Sequence, residues 1–374
     1  VKILHLIDSG GLYGAERMLL TLVGEQVARG LSPLILSVGE SAADDKPLEV
    51  EARRLGLPVK AWRMAPGFNL RESWSIIRWA RREQYQLMHS HGYKFNVLMG
   101  IWPEALRKIP LMTTLHGYVR ASRFTKSWFY EALDRLVLGQ MRQVVLVSEA
   151  IRFQIPGRIA RSNRVSVVMN GLNTESVRHQ ATQSLGAELD DFLVNGHPVI
   201  LGVGRLSPEK GFDRLIGAFR ILLSHYPEAQ LVIVGEGKQR DALEQQVAES
   251  KLSDHVCFPG YIEQVAALMK RTSVLCIPSL TEGLPITLLE AMSLGVPVVA
   301  SDVGEISNVL GDQKGGIVFR YESPSALAEM LVAAIEDRNN TSARARWSEQ
   351  RVEQAFSGHA MMEHYLKIYQ QVLA

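Results

Sequence analysis

Short apolar runs recur along the chain and alternate with stretches of helical period. In the first half the runs are Ile3–Ile7, Pro33–Val38, Pro58–Ala61, Leu87–Ser90, Leu111–Leu115, Val144–Val147 and Val165–Met169. They are mostly continuous rather than alternating, as expected of strands buried on both faces. Between them, Ala15–Arg29 and Trp74–Glu83 space their apolar residues as helices do. A polar stretch from Asn173 to Asn195 breaks the rhythm and reads as a linker. The rhythm restarts at Val199–Val203 and continues through Leu231–Val234, Val256–Phe258, Val274–Ile277, Val298–Ala300 and Gly316–Phe319. After Ser357-Gly358 the end of the chain, His359–Val372, is again helical in period. Strand–helix alternation on both sides of a break predicts an α/β protein with two doubly wound parallel-sheet domains, residues 1–172 and 173–357. Such sheets bind ligands at the carboxyl ends of their strands, so a ligand cleft is expected there.

Composition changes this picture little. The 374 residues suffice for two domains, and 47% apolar beside 21% charged residues is ordinary for a globular protein. No run reaches the ~18 apolar residues of a spanning helix. The start, Val1 to Leu6, reads as a first strand rather than a secretory signal. Cys257 and Cys276, the only cysteines, sit in apolar strand contexts and read as reduced core thiols, which points to a cytoplasmic protein. Charge adds more. The net +2 conceals a split, with 24 basic against 14 acidic residues over 1–172 and 17 against 25 over 173–374. A basic half suggests an anionic partner such as a membrane, a lipid phosphate or nucleic acid, although Arg-rich solvated helix faces produce the same count.

The segment Ser279-Leu280-Thr281-Glu282-Gly283-Leu284-Pro285-Ile286-Thr287-Leu288-Leu289-Glu290 carries the most specific chemistry. It follows a buried strand and predicts a Gly-containing turn into a helix with Pro285 as its first residue. The N–H groups of Ile286, Thr287 and Leu288 would then be unpaired and form an anion site. Glu282 precedes that site and Glu290 follows it, and carboxylates bind pairs of sugar hydroxyls well. A phosphate flanked by two hydroxyl-rich rings describes a nucleotide diphosphate sugar. Arg205 and Lys210 follow the strand Val199–Val203 in a loop bounded by Gly204 and Pro208. They are either ordinary surface cations or a clamp for diphosphate, and the neighbouring anion site favours the clamp. Gly10, Gly11 and Gly14 form a G-G-x-x-G turn after the first strand, which does not meet the dinucleotide fingerprint. His89 and His91 point to one face of a strand end, but no third metal ligand is evident beside them.

These landmarks resemble, in order, those of retaining glycosyltransferases of the GT-B fold, family 4 type (glycosyl transferases group 1). The E-x7-E segment from Glu282 to Glu290 is similar to that family's signature. So are the glycine loop Asp8 to Glu16, the strand-end His116 after Thr113-Thr114-Leu115, and the clamp Gly204 to Gly211. Val234 to Gly237 and Gly295 to Ser301 complete the set. The resemblance implies two Rossmann-like domains facing across a cleft, with the helix of about 358–374 packing back on the first. It implies transfer of a sugar, with retention, from a UDP- or GDP-sugar to a hydroxyl acceptor, a glycan or lipid-linked glycan. It gives His116, Glu282, Arg205 and Lys210 to catalysis. His116 would contact the transferred sugar, and Glu282 its hydroxyls. Donor contacts would also come from Gly10, Gly11, Gly283, Leu284, Pro285, Ile286 and Thr287, with Glu290 on the ribose and backbone at Tyr261 and Ile262 along the base. The leaving phosphate would take the acceptor's proton.

No D-x-D triplet occurs, so the metal–diphosphate motif of the other major glycosyltransferase fold is missing, and no metal or cofactor is expected. Nucleic acid is not expected as a partner. An anionic membrane surface at the cytoplasmic face fits the basic half, particularly Arg120, Arg123 and Lys126 beside Trp128, Phe129 and Tyr130. In Arg71 to Arg82 the aromatics are expected to pack inward and the arginines to be solvated. A nucleotide-sugar epimerase of the same fold, a dehydrogenase and a non-catalytic nucleotide-sugar binding protein are the alternatives.

Overall fold

The structure is a computed structural model. It describes the chain except residues 9–10, 13, 41–44, 66, 68, 117–125 and 194–195; for 126–131, 150 and 338 the backbone alone is described. The chain divides into two compact units, Val1–Gly171 with Gly358–Ala374, and Leu172–Ser357.

The first unit is a seven-stranded parallel sheet. Its strands are β1 (Lys2–Ile7), β2 (Ser32–Glu40), β3 (Val59–Met64), β4 (Leu87–Ser90), β5 (Leu111–Leu115), β6 (Gln143–Leu146) and β7 (Val165–Val167), in the order β3-β2-β1-β4-β5-β6-β7. Continuous apolar strands serve both faces. Leu4, Leu6, Leu36 and Met88 face one core with Ile76 and Ile77 of the helix Leu70–Arg82. Ile3, Leu87, Met112 and Val145 face another with Met361, Tyr365 and Tyr369 of the terminal helix Gly358–Leu373. That helix lies beside the helix Gly14–Ala28. In the helix Leu70–Arg82 the arginines at 71, 78, 81 and 82 are exposed. Trp74 packs on Trp102 at 4.8 Å, and Trp79 on Trp62 at 5.7 Å. The aromatics thus belong to the interior. The chain around Arg120 and Arg123 lies outside the described residues, and the side chains of Lys126, Trp128, Phe129 and Tyr130 are not described.

The second unit is a six-stranded parallel sheet. Its strands are β8 (Val199–Val203), β9 (Gln230–Val234), β10 (Val256–Gly260), β11 (Val274–Ile277), β12 (Val298–Ser301) and β13 (Ile317–Phe319), in the order β10-β9-β8-β11-β12-β13. Phe212, Leu215 and Phe219 of the helix Phe212–Leu222 pack with Leu327 and Leu331 of the helix Pro324–Glu336 over β8 and β9. The polar stretch from Asn173 to Asn195 is no simple linker. It contains the helices Thr174–Gln180 and Ala187–Phe192, in which Val177 and Leu189 are buried. Asn173 caps the first of them by accepting from the Ser176 N–H at 2.9 Å. Among the described residues no helix is long and apolar enough to cross a membrane.

Candidate functional site

Both sheets reverse their strand order once, between β1 and β4 in the first and between β8 and β11 in the second. Connections leave on opposite faces there, which opens a crevice at the carboxyl ends of those two strands.

At the second crevice the loops after β8 and β11 are knitted together. Lys210 ends a short turn, and Gly211 follows at φ +66°; a Cβ there would come within 2.3 Å of the Pro278 carbonyl oxygen. Only glycine allows that approach. The Leu280 N–H donates to the Glu209 carbonyl at 2.8 Å. Lys210 Nζ donates to Glu282 Oε1 at 2.6 Å, and Ser279 Oγ donates to the same oxygen at 2.7 Å. The two ion-pair side chains are 24% and 11% exposed. Arg205 is exposed on the same loop. The loop after β9 crosses closely too. Gly235, at φ +138°, would put a Cβ 1.9 Å from the Gly204 carbonyl oxygen, and the Leu206 N–H donates to the Glu236 carbonyl at 3.0 Å.

The helix after this loop is Ile286–Ser293, one residue later than the sequence pattern predicts. Pro285 keeps an extended ψ of 122° and stands just before it, and its carbonyl accepts from the Leu288 N–H at 3.2 Å. Leu288 therefore does not contribute a free donor. Ile286 and Thr287 keep theirs, because neither has an intrahelical carbonyl to bond. Gly283 is exposed and Leu284 half-buried; the Gly283 carbonyl accepts from the Glu305 N–H at 3.1 Å. Glu290 is half-buried one turn into the helix. Tyr261, 69% exposed, and Ile262 follow β10, which lies two strands from β8. Arg205, Lys210, Glu282, Ile286 and Thr287 thus gather at one crevice, with Tyr261 and Ile262 towards the sheet edge.

In the first unit Gly10 lies outside the described residues, and Gly11 is buried. Asp8, at the end of β1, accepts from Lys46 Nζ at 2.9 Å and Lys94 Nζ at 2.5 Å. Burial disfavours its charged form, but the two lysines outweigh that and hold the carboxyl below its usual range. His116 follows β5 with both ring nitrogens closed off from solvent and without a partner among the described residues. Burial lowers its pKa to about 4, so it is neutral near pH 7.

His116 belongs to a larger constellation. His5 of β1 is in register with His89 of β4, and His91 and Thr114 extend the same face. The ligand atoms of His5, His89 and His91 all lie within 4.8 Å of one another, so the fold supplies the third histidine that the sequence left unidentified. These rings are already engaged. His91 Nε2 and His5 Nδ1 are 3.0 Å apart, and His5 Nε2 lies 2.8 Å from Gln26 Oε1. Gln26 Nε2 donates to Tyr369 Oη at 2.8 Å. Tyr369 Oη is 3.2 Å from His89 Nδ1, and His89 Nε2 is 2.8 Å from Thr114 Oγ1. Thr114 Oγ1 lies 2.8 Å from Tyr365 Oη. Burial lowers the His5 pKa to about 4, against the Gln26 hydrogen bond, and holds His89 and His91 well below the usual range. The sequence signal for His5 and Thr114 was a polar residue at the inward phase of an apolar strand, between Ile3 and Ile7 in one case.

Two family models match the chain in succession. Glycosyltransferase Family 4 covers residues 13–176, and Glycosyl transferases group 1 covers residues 190–354. An uncharacterised glycosyltransferase of Methanocaldococcus jannaschii is 27% identical over 66% of this chain and 65% of its own length. The D-inositol 3-phosphate glycosyltransferase of Nocardia farcinica is 28% identical over 68% of this chain and 60% of its own. The chain therefore spans less than two thirds of either relative. Among solved structures, Anabaena HepE in complex with UDP superposes with a TM-score of 0.80 at 21% identity, covering 99% of this chain and 100% of that one. The same protein in complex with UDP-glucose gives a TM-score of 0.76 at 22% identity, covering 99% of each chain. The shared fold is GT-B, and with two family models in tandem over two doubly wound units, this chain belongs to the group 1 glycosyltransferases.

Proposed function

We propose that the protein transfers a glycosyl group from a UDP- or GDP-sugar to a hydroxyl acceptor, with retention of configuration and without a metal ion. The observation that carries this reading is the Lys210–Glu282 pair, 2.6 Å apart, just ahead of the open N–H groups of Ile286 and Thr287. A cation, a carboxylate and a helix start converge at a switch point, the set a diphosphate linked to a sugar requires. The UDP-glucose complex of HepE supports the donor class. Lys210 would turn from Glu282 to the diphosphate, leaving Glu282 and Ser279 to receive sugar hydroxyls. Arg205 and Lys210 would take up the charge that grows as the bond from the anomeric carbon to the diphosphate oxygen breaks. The acceptor oxygen would bond to that carbon on the same face, and its proton would pass to the departing phosphate. His116 would contact the transferred sugar, Glu290 the ribose, and backbone at Tyr261 and Ile262 the base. The first unit would receive the acceptor, a glycan or lipid-linked glycan, at the cytoplasmic face of a membrane.

Isothermal calorimetry with UDP, GDP and their sugars tests this. One nucleotide should bind, and its sugar should turn over in a donor-hydrolysis assay. Glu290→Ala should weaken the nucleotide diphosphate by about 1.5–3 kcal/mol, and Glu282→Ala should hardly change it. Equal losses would overturn the division of roles. Binding without turnover in the presence of acceptors would favour a non-catalytic binding protein.

A further inference from the structure

The buried chain of hydrogen bonds across β1, β4 and β5 has a direction, and the direction ends at an unmet group. Gln26 presents its amide oxygen to His5 Nε2 and its amide nitrogen to Tyr369 Oη. The carbonyl oxygen accepts only, so the neutral His5 ring carries its proton on Nε2. Its Nδ1 is then a lone pair, and the His91 Nε2 at 3.0 Å must be the donor to it. A neutral imidazole has one proton. His91 Nδ1 is consequently a bare acceptor. It is closed off from solvent and has no partner among the described residues.

We infer that His91 Nδ1 is a fixed hydrogen-bond acceptor for an O–H group of a sugar or polyol ligand, held in that form by the positioning residues His5 and Gln26. Three observations converge on a ligand rather than an idle ring. His91 stands just past the end of β4, at the switch point where doubly wound sheets bind ligands. An unpaired acceptor on a side chain as buried as His91, which is 4% exposed, is uncommon in a folded protein unless something else bonds it. His116 lies beside it, ring centroids 6.0 Å apart, also with both nitrogens unpaired. A neutral His116 has one N–H to give, and a hydroxyl both donates and accepts. Two hydrogen bonds of about 2.9 Å let one hydroxyl oxygen bridge the rings. The chemistry also excludes a class: a phosphate dianion has no proton to offer a lone pair, so this position selects hydroxyl over phosphate. The hydroxyl belongs to the transferred sugar or to the acceptor; in both cases the inference rests on the glycosyltransferase reading.

The experiment uses the full chain labelled with 15N at histidine. Long-range 15N–1H correlations report the tautomer of each ring without any ligand. His91 should show hydrogen on Nε2 and none on Nδ1, and Gln26→Met should let that signal become a mixture of tautomers. UDP, UDP-glucose and myo-inositol are then added separately. A shift of the His91 Nδ1 signal with UDP-glucose but not UDP assigns the hydroxyl to the transferred sugar; a shift with myo-inositol assigns it to the acceptor. His91→Phe should weaken the ligand that moves the signal about tenfold and leave UDP unchanged. His91→Asn, which keeps an acceptor near the same place, should recover part of the loss. A proton on His91 Nδ1 overturns the inference. So does a His91 signal that no probe moves while calorimetry shows UDP-glucose bound. If no nucleotide sugar binds the wild type, the glycosyltransferase reading falls, and the tautomer measurement still decides the relay.

Discussion

Lys210 and Glu282 each matched a family landmark on a separate loop, but their meeting was not legible in the sequence. They are 72 positions apart, and what joins them is Gly211 lying against the Pro278 carbonyl and Leu280 bonded to Glu209. Without ligand, each neutralises the other, so any diphosphate must compete with Glu282 for the Lys210 ammonium. That competition shapes the kinetics. Arg205→Ala and Lys210→Ala should lower donor turnover about 100-fold each, more than they raise the Michaelis constant, because leaving-group charge is largest in the transition state. Lys210→Ala combined with Glu282→Ala should lose less than the product of the single losses, since the two side chains are in contact. A chelator should leave wild-type turnover unchanged. Unchanged turnover with a raised Michaelis constant in Lys210→Ala would contradict the clamp, and restoration of a chelated enzyme by a divalent ion would contradict the metal-free reading.

At the scale of elements, every apolar run proved to be a strand, because continuous hydrophobic runs of that length bury well only inside a covered parallel sheet. Boundaries moved by one to three residues, as where Gln143 and Gln230 joined the ladder and where the third strand ran on to Met64. The short helices over Asn173 to Asn195 were missed since single buried residues, Val177 and Leu189, leave no period to read. The relay between sheet and terminal helix was also hidden: it joins Gln26, His89, Thr114, Tyr365 and Tyr369, far apart in sequence. It predicts a pH dependence. His5, facing His89, His91 and Gln26, has its pKa lowered from 6.5 to about 4 in the folded protein by burial. Between those values the unfolded chain binds a proton that the folded chain refuses, so stability falls as pH falls. The slope is about 1.4 kcal/mol per pH unit for such a histidine. Urea unfolding should therefore give a lower midpoint at about pH 5 than at about pH 7, with the histidine ring signals of this cluster still neutral at the lower value. Ring signals that titrate near the unperturbed value would refute it.

For the whole molecule, the charge split follows the structural units. Val1–Gly171 with Gly358–Ala374 holds 25 basic and 15 acidic residues, a balance of +10, and Leu172–Ser357 holds 16 and 24, a balance of −8. The unit that would receive the acceptor is thus the cationic one, and the exposed arginines of the helix Leu70–Arg82 form part of that charge. Among the described residues no helix is long and apolar enough to cross a membrane. Basic residues near an anionic bilayer contribute roughly 1 kcal/mol each, enough for reversible binding when several act together. The attraction should decay as salt shortens the Debye length. Co-sedimentation with vesicles containing phosphatidylserine should capture the protein at low salt, and pure phosphatidylcholine vesicles should not. Replacing Arg120, Arg123 and Lys126 with Ser should weaken capture, and replacing Arg71, Arg78, Arg81 and Arg82 instead should show whether the contact extends to that helix. A wild-type protein that ignores anionic vesicles at low salt would make a soluble acceptor the better assignment, while leaving the donor role proposed for Lys210 and Glu282 untouched.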